Sequence, residues 1–129
     1  MGANAMYSAQ VIEHFERPRN VGEVEGASAT AEVENPACGD VMRLSLRVEA
    51  GRIAEARFRT QGCVTAIACG SALTEMLAGR TVAEADGLRR EELVSALGGL
   101  SNETMHASHL AMDALRAALR KLSYTASGR

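Results

Sequence analysis

The sequence predicts an α+β fold: a small three-stranded antiparallel sheet with helices packed on one of its faces. Two observations carry this. Three stretches between residues 29 and 59 alternate apolar and polar residues, as strands with one buried and one wet face do. Beyond Gly62 the apolar spacing lengthens to three and four residues, as in amphipathic helices. Strands first and helices after put the helices together on one side of the sheet.

Each element has its own signal. Ser8 caps a short helix running to about Arg17, with Val11, Ile12 and Phe15 on one face. Pro18 ends it, because the residue before a proline avoids helical geometry. In the first strand Ala29, Ala31 and Val33 alternate with Thr30, Glu32 and Glu34. In the second, Met42, Leu44, Leu46 and Val48 alternate with Arg43, Ser45, Arg47 and Glu49. In the third, Ala54, Ala56 and Phe58 alternate with Glu55, Arg57 and Arg59. Residues 49–52 (EAGR) read as the hairpin turn between the last two. A helix then follows Cys63, with Ala66, Gly70, Leu73 and Leu77 as its stripe and Gly79 as its stop. Thr81 and Glu84 form a capping box for a short helix. Residues 89–97 read as another, closed by Gly98 and Gly99. The last helix should run from about His106 to Leu122, its stripe being Ala111, Ala114, Leu115, Ala118 and Leu122.

At 129 residues the chain has the size of one domain, residues 1–129, and no repeat or linker divides it. A formal net charge of −2 gives no electrostatic footprint for nucleic acid or an anionic membrane. No apolar run approaches the roughly 18 residues that a membrane span needs. Residues 1–11 lack a basic segment followed by an apolar one, so no secretory signal is expected. Position 6 lacks the Ser or Thr of a myristoylation signal. Three cysteines, Cys38, Cys63 and Cys69, cannot all pair within one chain. These features point to a reducing, cytoplasmic setting with free thiols.

The candidate chemistry lies in three places. In Cys38-Gly39-Asp40, residues i and i+2 of an extended segment point the same way, so thiolate and carboxylate can share a site. Cys63 opens a helix, where a thiolate is favoured. His106 starts the last helix, where nearby dipole charge favours the neutral, metal-binding imidazole. Together they suit zinc, iron or an iron–sulfur cluster. Spacing alone leaves open a plainer reading, two half-buried cysteines and a surface histidine.

Four ordered motifs add a resemblance. Residues 7–22 read YSAQVIEHFERPRNVG, residues 35–40 NPACGD, residues 62–68 GCVTAIA and residues 106–115 HASHLAMDAL. Over nearly its whole length the chain resembles NifU/IscU-type iron–sulfur cluster assembly scaffolds, the NifU N-terminal domain-like family. That resemblance implies the family's α+β fold and a non-enzymatic role. It implies sulfur received as persulfide from a cysteine desulfurase, a transient [2Fe–2S] cluster built with iron, and transfer to acceptor or carrier proteins. The family's ligand positions match Cys38, Asp40, Cys63 and His106.

Two departures qualify it. The family's third site cysteine, usually both ligand and persulfide acceptor, is Ala107 here. Cys69 is the nearest substitute, but six residues of helix place it about 120° around from Cys63, and a buried small residue is expected there. His109 lies three residues beyond His106 and could be a fourth ligand; a solvated histidine is the plainer expectation. Asp113 reads as exposed, and His14 as a packing or partner contact. Residues 100–104 (LSNET) lack the proline-containing loop read by a dedicated Hsp70-type chaperone, so that contact is not expected. Two other functions stand beside the scaffold: a zinc-bound sulfur acceptor serving a cysteine desulfurase, with zinc on the same four residues, and a degenerate regulatory paralogue lacking the third cysteine.

Overall fold

A computed structural model describes residues 7–127, with side chains as far as Leu122. The expectations drawn on residues 1–6, no leader and no myristoylation, fall outside the described residues. The elements follow in the order α1 (Ala9–Glu16), β1 (Ala29–Glu34), β2 (Val41–Glu49), β3 (Arg52–Gln61), α2 (Val64–Leu77), α3 (Val82–Asp86), α4 (Arg90–Ala96) and α5 (His106–Ser127). The strands form an antiparallel sheet in the order β1-β2-β3.

The alternation works as the sequence predicts, with two corrections. Ser45, expected on the wet face, is buried, and its Oγ accepts from Val24 N–H at 2.9 Å. Ala31, Met42, Leu44, Leu46, Ala56 and Phe58 are buried on the inner face. Ala54, expected beside them, is exposed, and Ile53 takes its place at 0% exposure. The cause is a bulge: Arg47 pairs with Glu55 and Val48 with Ile53, so Ala54 has no partner and the period slips by one. The turn between β2 and β3 holds both Ala50 (φ 54) and Gly51 (φ 78) at positive φ. Two such residues give a turn whose twist matches the flanking strands.

α5 lies over β1 and β2, and α2 over β3. α2 differs from a one-sided helix. Thr65, Ser71 and Thr74 are buried along with Ala66, Cys69, Ala72, Leu73 and Leu77, because α1 packs on its far side. The buried hydroxyls of Ser71 and Thr74 become the fastening for that second layer. Ser71 Oγ accepts from Arg19 N–H (2.8 Å) and lies 2.7 Å from His14 Nδ1. Asn20 Nδ2 donates to Thr74 Oγ1 at 3.2 Å. The 20–22 segment then covers part of the β3 edge. Phe58 N–H donates to Asn20 O (2.9 Å), and Gly22 N–H to Phe58 O (2.8 Å). The outer face of the sheet carries Arg–Glu pairs such as Arg43–Glu23 and Arg57–Glu55, whose attraction solvent largely screens.

Gly70 is where α2 meets the sheet most closely. A Cβ there would stand 2.9 Å from Phe58 Cγ and closer still to the ring edge. Phe58 is fully buried and has nowhere to go. Gly70→Ala should therefore cost about 1–3 kcal/mol by overpacking, read as a lower urea midpoint at unchanged slope. An unchanged midpoint would mean that the helix can lift off the sheet freely.

His14 gives a pH dependence. Burial, and then the Arg19 guanidinium, hold its imidazole below the ordinary value of 6.5, against the smaller opposing pull of Glu75 and Glu13. The unfolded chain thus binds this proton more readily than the folded one, and stability must rise with pH across the gap. As pH falls through about 6.5, the His14 contribution should be lost, with the loss complete once the folded value is passed. Urea midpoints from pH 7.5 to 5 in the parent and in His14→Gln measure it. Equal slopes in the two proteins would assign the effect to other groups.

Candidate metal centre

The site begins in the loop between β1 and β2. Asn35 closes it: Asn35 N–H donates to Asp40 O (2.8 Å), Gly39 N–H donates to Asn35 O (2.7 Å), and Asn35 Oδ1 accepts from Ala37 N–H (3.0 Å). Gly39 sits at φ 79, a conformation its missing side chain allows. This winding leaves Cys38 exposed at the tip and turns Asp40 inward.

The second piece is the junction of β3 and α2. Gly62 lies against the Asp40 side chain, where a Cβ would be 2.9 Å from Cγ and 3.0 Å from Oδ2. Only glycine lets the backbone pass so near the carboxylate. Cys63 follows as the N-cap of α2, with extended dihedrals and no side-chain hydrogen bond into the helix. It is exposed. The third piece is the start of α5, where His106 Nε2 stands 3.9 Å from Asp40 Oδ2. That is too far for a hydrogen bond.

Donor atoms of Cys38, Asp40 and His106 all lie within 4.8 Å of one another. Neighbouring donors around a tetrahedral zinc ion stand about 3.3–3.8 Å apart, given bonds of about 2.0–2.3 Å. The three groups are therefore close to the spacing of one ion's ligands. Asp40 Oδ2 fits this use. It is buried without a hydrogen-bond partner among the described residues, a state that costs a polar group about 1–3 kcal/mol. A cation would satisfy it. Cys63 stands outside this close grouping, although its neighbour Gly62 touches Asp40.

The remaining candidates stay apart from the cluster. Cys69 is fully buried in α2, and burial, with a smaller push from Cys63, raises its thiol to about 12. His109 and Asp113 are exposed on α5. His14 is engaged with Ser71 between α1 and α2. Ala107 is fully buried, presenting a methyl group to the core. Sequence reasoning missed Gly62 and Asn35 as parts of the site. Their signals were present: a glycine directly before the cysteine marks close backbone approach, and an asparagine before a proline marks a turn.

The model of the NifU-like N terminal domain family matches residues 6–127. The chain belongs to that family. This NifU-like chain is 47% identical over 114 residues to the iron–sulfur cluster assembly scaffold protein IscU 1 of Archaeoglobus fulgidus, covering 88% of this chain and 74% of that one. It is 45% identical over 118 residues to IscU of Azotobacter vinelandii, covering 88% and 91%. Among solved structures it is similar to a NifU-like N-terminal protein from Brucella abortus, with a TM-score of 0.75 at 15% identity over 96% of this chain and 99% of that one. It is also similar to a putative scaffold protein for the SUF system from Fervidobacterium islandicum, with a TM-score of 0.74 at 19% identity over 92% and 99%. These likenesses agree with the predicted α+β fold of the NifU/IscU type.

The lone buried oxygen of Asp40 yields a test. In the metal-free NifU-like chain Asp40→Asn should keep or gain stability, by about 1 kcal/mol. Its zinc affinity, measured by calorimetric titration, should fall about 10–100-fold. Lost stability with unchanged affinity would make the carboxylate structural.

Proposed function

We propose that this protein is a non-enzymatic scaffold for iron–sulfur cluster assembly, with residues 1–129 acting as one domain. Its cargo is a [2Fe–2S] cluster, built transiently from iron and from sulfur supplied by a cysteine desulfurase. The cluster then passes to acceptor or carrier proteins. A reducing, cytoplasmic setting suits the exposed thiols of Cys38 and Cys63. The observation that carries the reading is the convergence of Cys38, Asp40 and His106 around an oxygen with no partner. The names of the relatives described above support it.

Each residue has a task in this reading. Cys38 and Cys63 supply thiolates, the soft ligands that hold iron–sulfur clusters. His106 supplies a neutral imidazole. Asp40 supplies a hard oxygen ligand, poorly matched to the cluster and therefore exchangeable. Such a ligand favours release, which a carrier needs. Recognition by an Hsp70-type chaperone is not part of the proposal, because residues 100–104 carry no proline.

A second reading has its own observation. Three donors within 4.8 Å of one another suit a single ion, as in a zinc-bound sulfur acceptor. In that case Cys38, Asp40 and His106 would hold zinc, with Cys63 as the adjoining fourth donor.

Anaerobic reconstitution with iron, cysteine and a desulfurase tests the scaffold. The parent should develop visible cluster absorption, and Cys38→Ala/Cys63→Ala should lose it by about tenfold or more. Equal cluster content in the two would overturn the ligand assignment. Stoichiometric zinc after purification, together with no cluster on reconstitution, would replace the scaffold by the zinc-bound acceptor.

A further inference from the structure

Among the described residues two buried side-chain oxygens lack a hydrogen-bond partner, Asp40 Oδ2 and Thr65 Oγ1. The first belongs to the candidate metal centre. The second, on a residue only 1% exposed, also calls for a reason. Two other buried helical hydroxyls bond back to the carbonyl three residues earlier: Thr74 to Ser71 O (2.9 Å) and Ser108 to Met105 O (2.7 Å). Thr65 is the second residue of α2, so no helical turn precedes it to offer such a carbonyl. What precedes it is the Gly62–Cys63 junction. Side chains on a helix lean toward its N-terminus, so the Thr65 hydroxyl leans to that end.

The same end carries the metal residues. A Cβ on Gly62 would lie 3.0 Å from Ala66 Cβ and 2.9 Å from Asp40 Cγ, so the first turn of α2 and the carboxylate close on one glycine. Cys63 is the N-cap of α2. An N-cap side chain approaches its helix over the second and third helical residues, here Thr65 and Ala66. The Cys63 side chain makes no such bond and is free to turn. Its charge is felt at Cys69, whose thiol it pushes up, and Cys69 lies one turn beyond Thr65 on the same helix face.

We infer that Thr65 is a positioning residue of the metal centre, its hydroxyl donating a hydrogen bond to the Cys63 thiolate when that side chain turns over the helix end to ligate the metal. The inference rests on the scaffold reading, which makes Cys63 a ligand, and names the group that sets how tightly its sulfur binds. The hydroxyl has one proton to give, and a thiolate accepts it. A hydrogen bond to a ligating sulfur draws electron density from it, weakens its bond to the metal and tunes the potential of a cluster held there. Burial keeps water from competing for that proton. Together with the hard oxygen of Asp40, the bond favours release of the cargo.

Thr65→Val removes the hydroxyl at nearly constant shape, and Thr65→Ser keeps it. The probe is Co²⁺ bound anaerobically to the full chain, because thiolate-to-cobalt absorption reports the electron density on sulfur. Metal-free Thr65→Val should unfold at a urea midpoint equal to or above the parent's, since it loses a buried unpaired group. Its charge-transfer band should move to longer wavelength, and release of Co²⁺ to EDTA should slow by about two- to tenfold. Thr65→Ser should keep the parental band and release rate. The parental band should weaken in Cys63→Ala, and in that background Thr65→Val should change neither band nor rate. A band and rate unmoved by Thr65→Val overturn the inference, whether or not its urea midpoint falls. So does a band indifferent to Cys63→Ala, or the same shift in its absence. Cluster reconstitution is scored on the same proteins. A parent that loads a cluster while Thr65→Val changes nothing sinks the inference alone. A cobalt band that depends on Thr65 and Cys63, in a parent that never acquires a cluster, sinks the scaffold role and leaves Thr65 in a metal site of another use.

Discussion

Gly70 lets the backbone of α2 settle against the Phe58 ring on β3, and much of the molecule is placed by that contact. β3 runs into α2 with only Gly62 and Cys63 between them, so the seating of the helix sets where those two residues lie. The same small-residue helix is buried on its outer side by α1. A bulkier residue at position 70 would push α2 outward and carry Gly62 away from Asp40. Close packing leaves little slack for such a shift.

The candidate centre is assembled from three segments far apart in the chain, each set by a different local device. The 35–40 loop is wound by Asn35 hydrogen bonds. The Gly62–Cys63 junction is set by the end of the sheet. His106 is set by the start of α5. Stability alone gives no reason to bury the Asp40 oxygen without a partner. Such a group is usually satisfied by hydrogen bonds or replaced. Its position beside a thiol and an imidazole is the observation on which the proposed metal site rests.

The cysteines separate by environment. Cys69 is a core side chain that behaves as a small hydrophobe. Cys38 sits with the hard and borderline donors. Cys63 sits at the lip of a helix, open to solvent. The three thiols count as equals in the composition and serve as three different things in the fold.

Much of the architecture is legible in the residues. Period-two alternation located all three strands, the capping residues Ser8 and Thr81 set two helix starts, and Ala111, Ala114, Leu115 and Ala118 line the buried side of α5. These features are local, and short-range sterics and burial dictate them. The bulge that exchanges Ala54 for Ile53 was not legible, because it depends on pairing with β2. Nor was the burial of the α2 hydroxyls of Ser71 and Thr74, which depends on α1 arriving from elsewhere. At the site, the sequence by itself determined which donors exist: three thiols, one carboxylate and one imidazole, with alanine at position 107. Only the tertiary structure decided that Cys38, Asp40 and His106 crowd together while Cys63 stands aside and Cys69 is sealed in. Donor chemistry belongs to single residues, but distance between donors is a property of packing, and packing is decided by contacts between segments that the linear order does not relate.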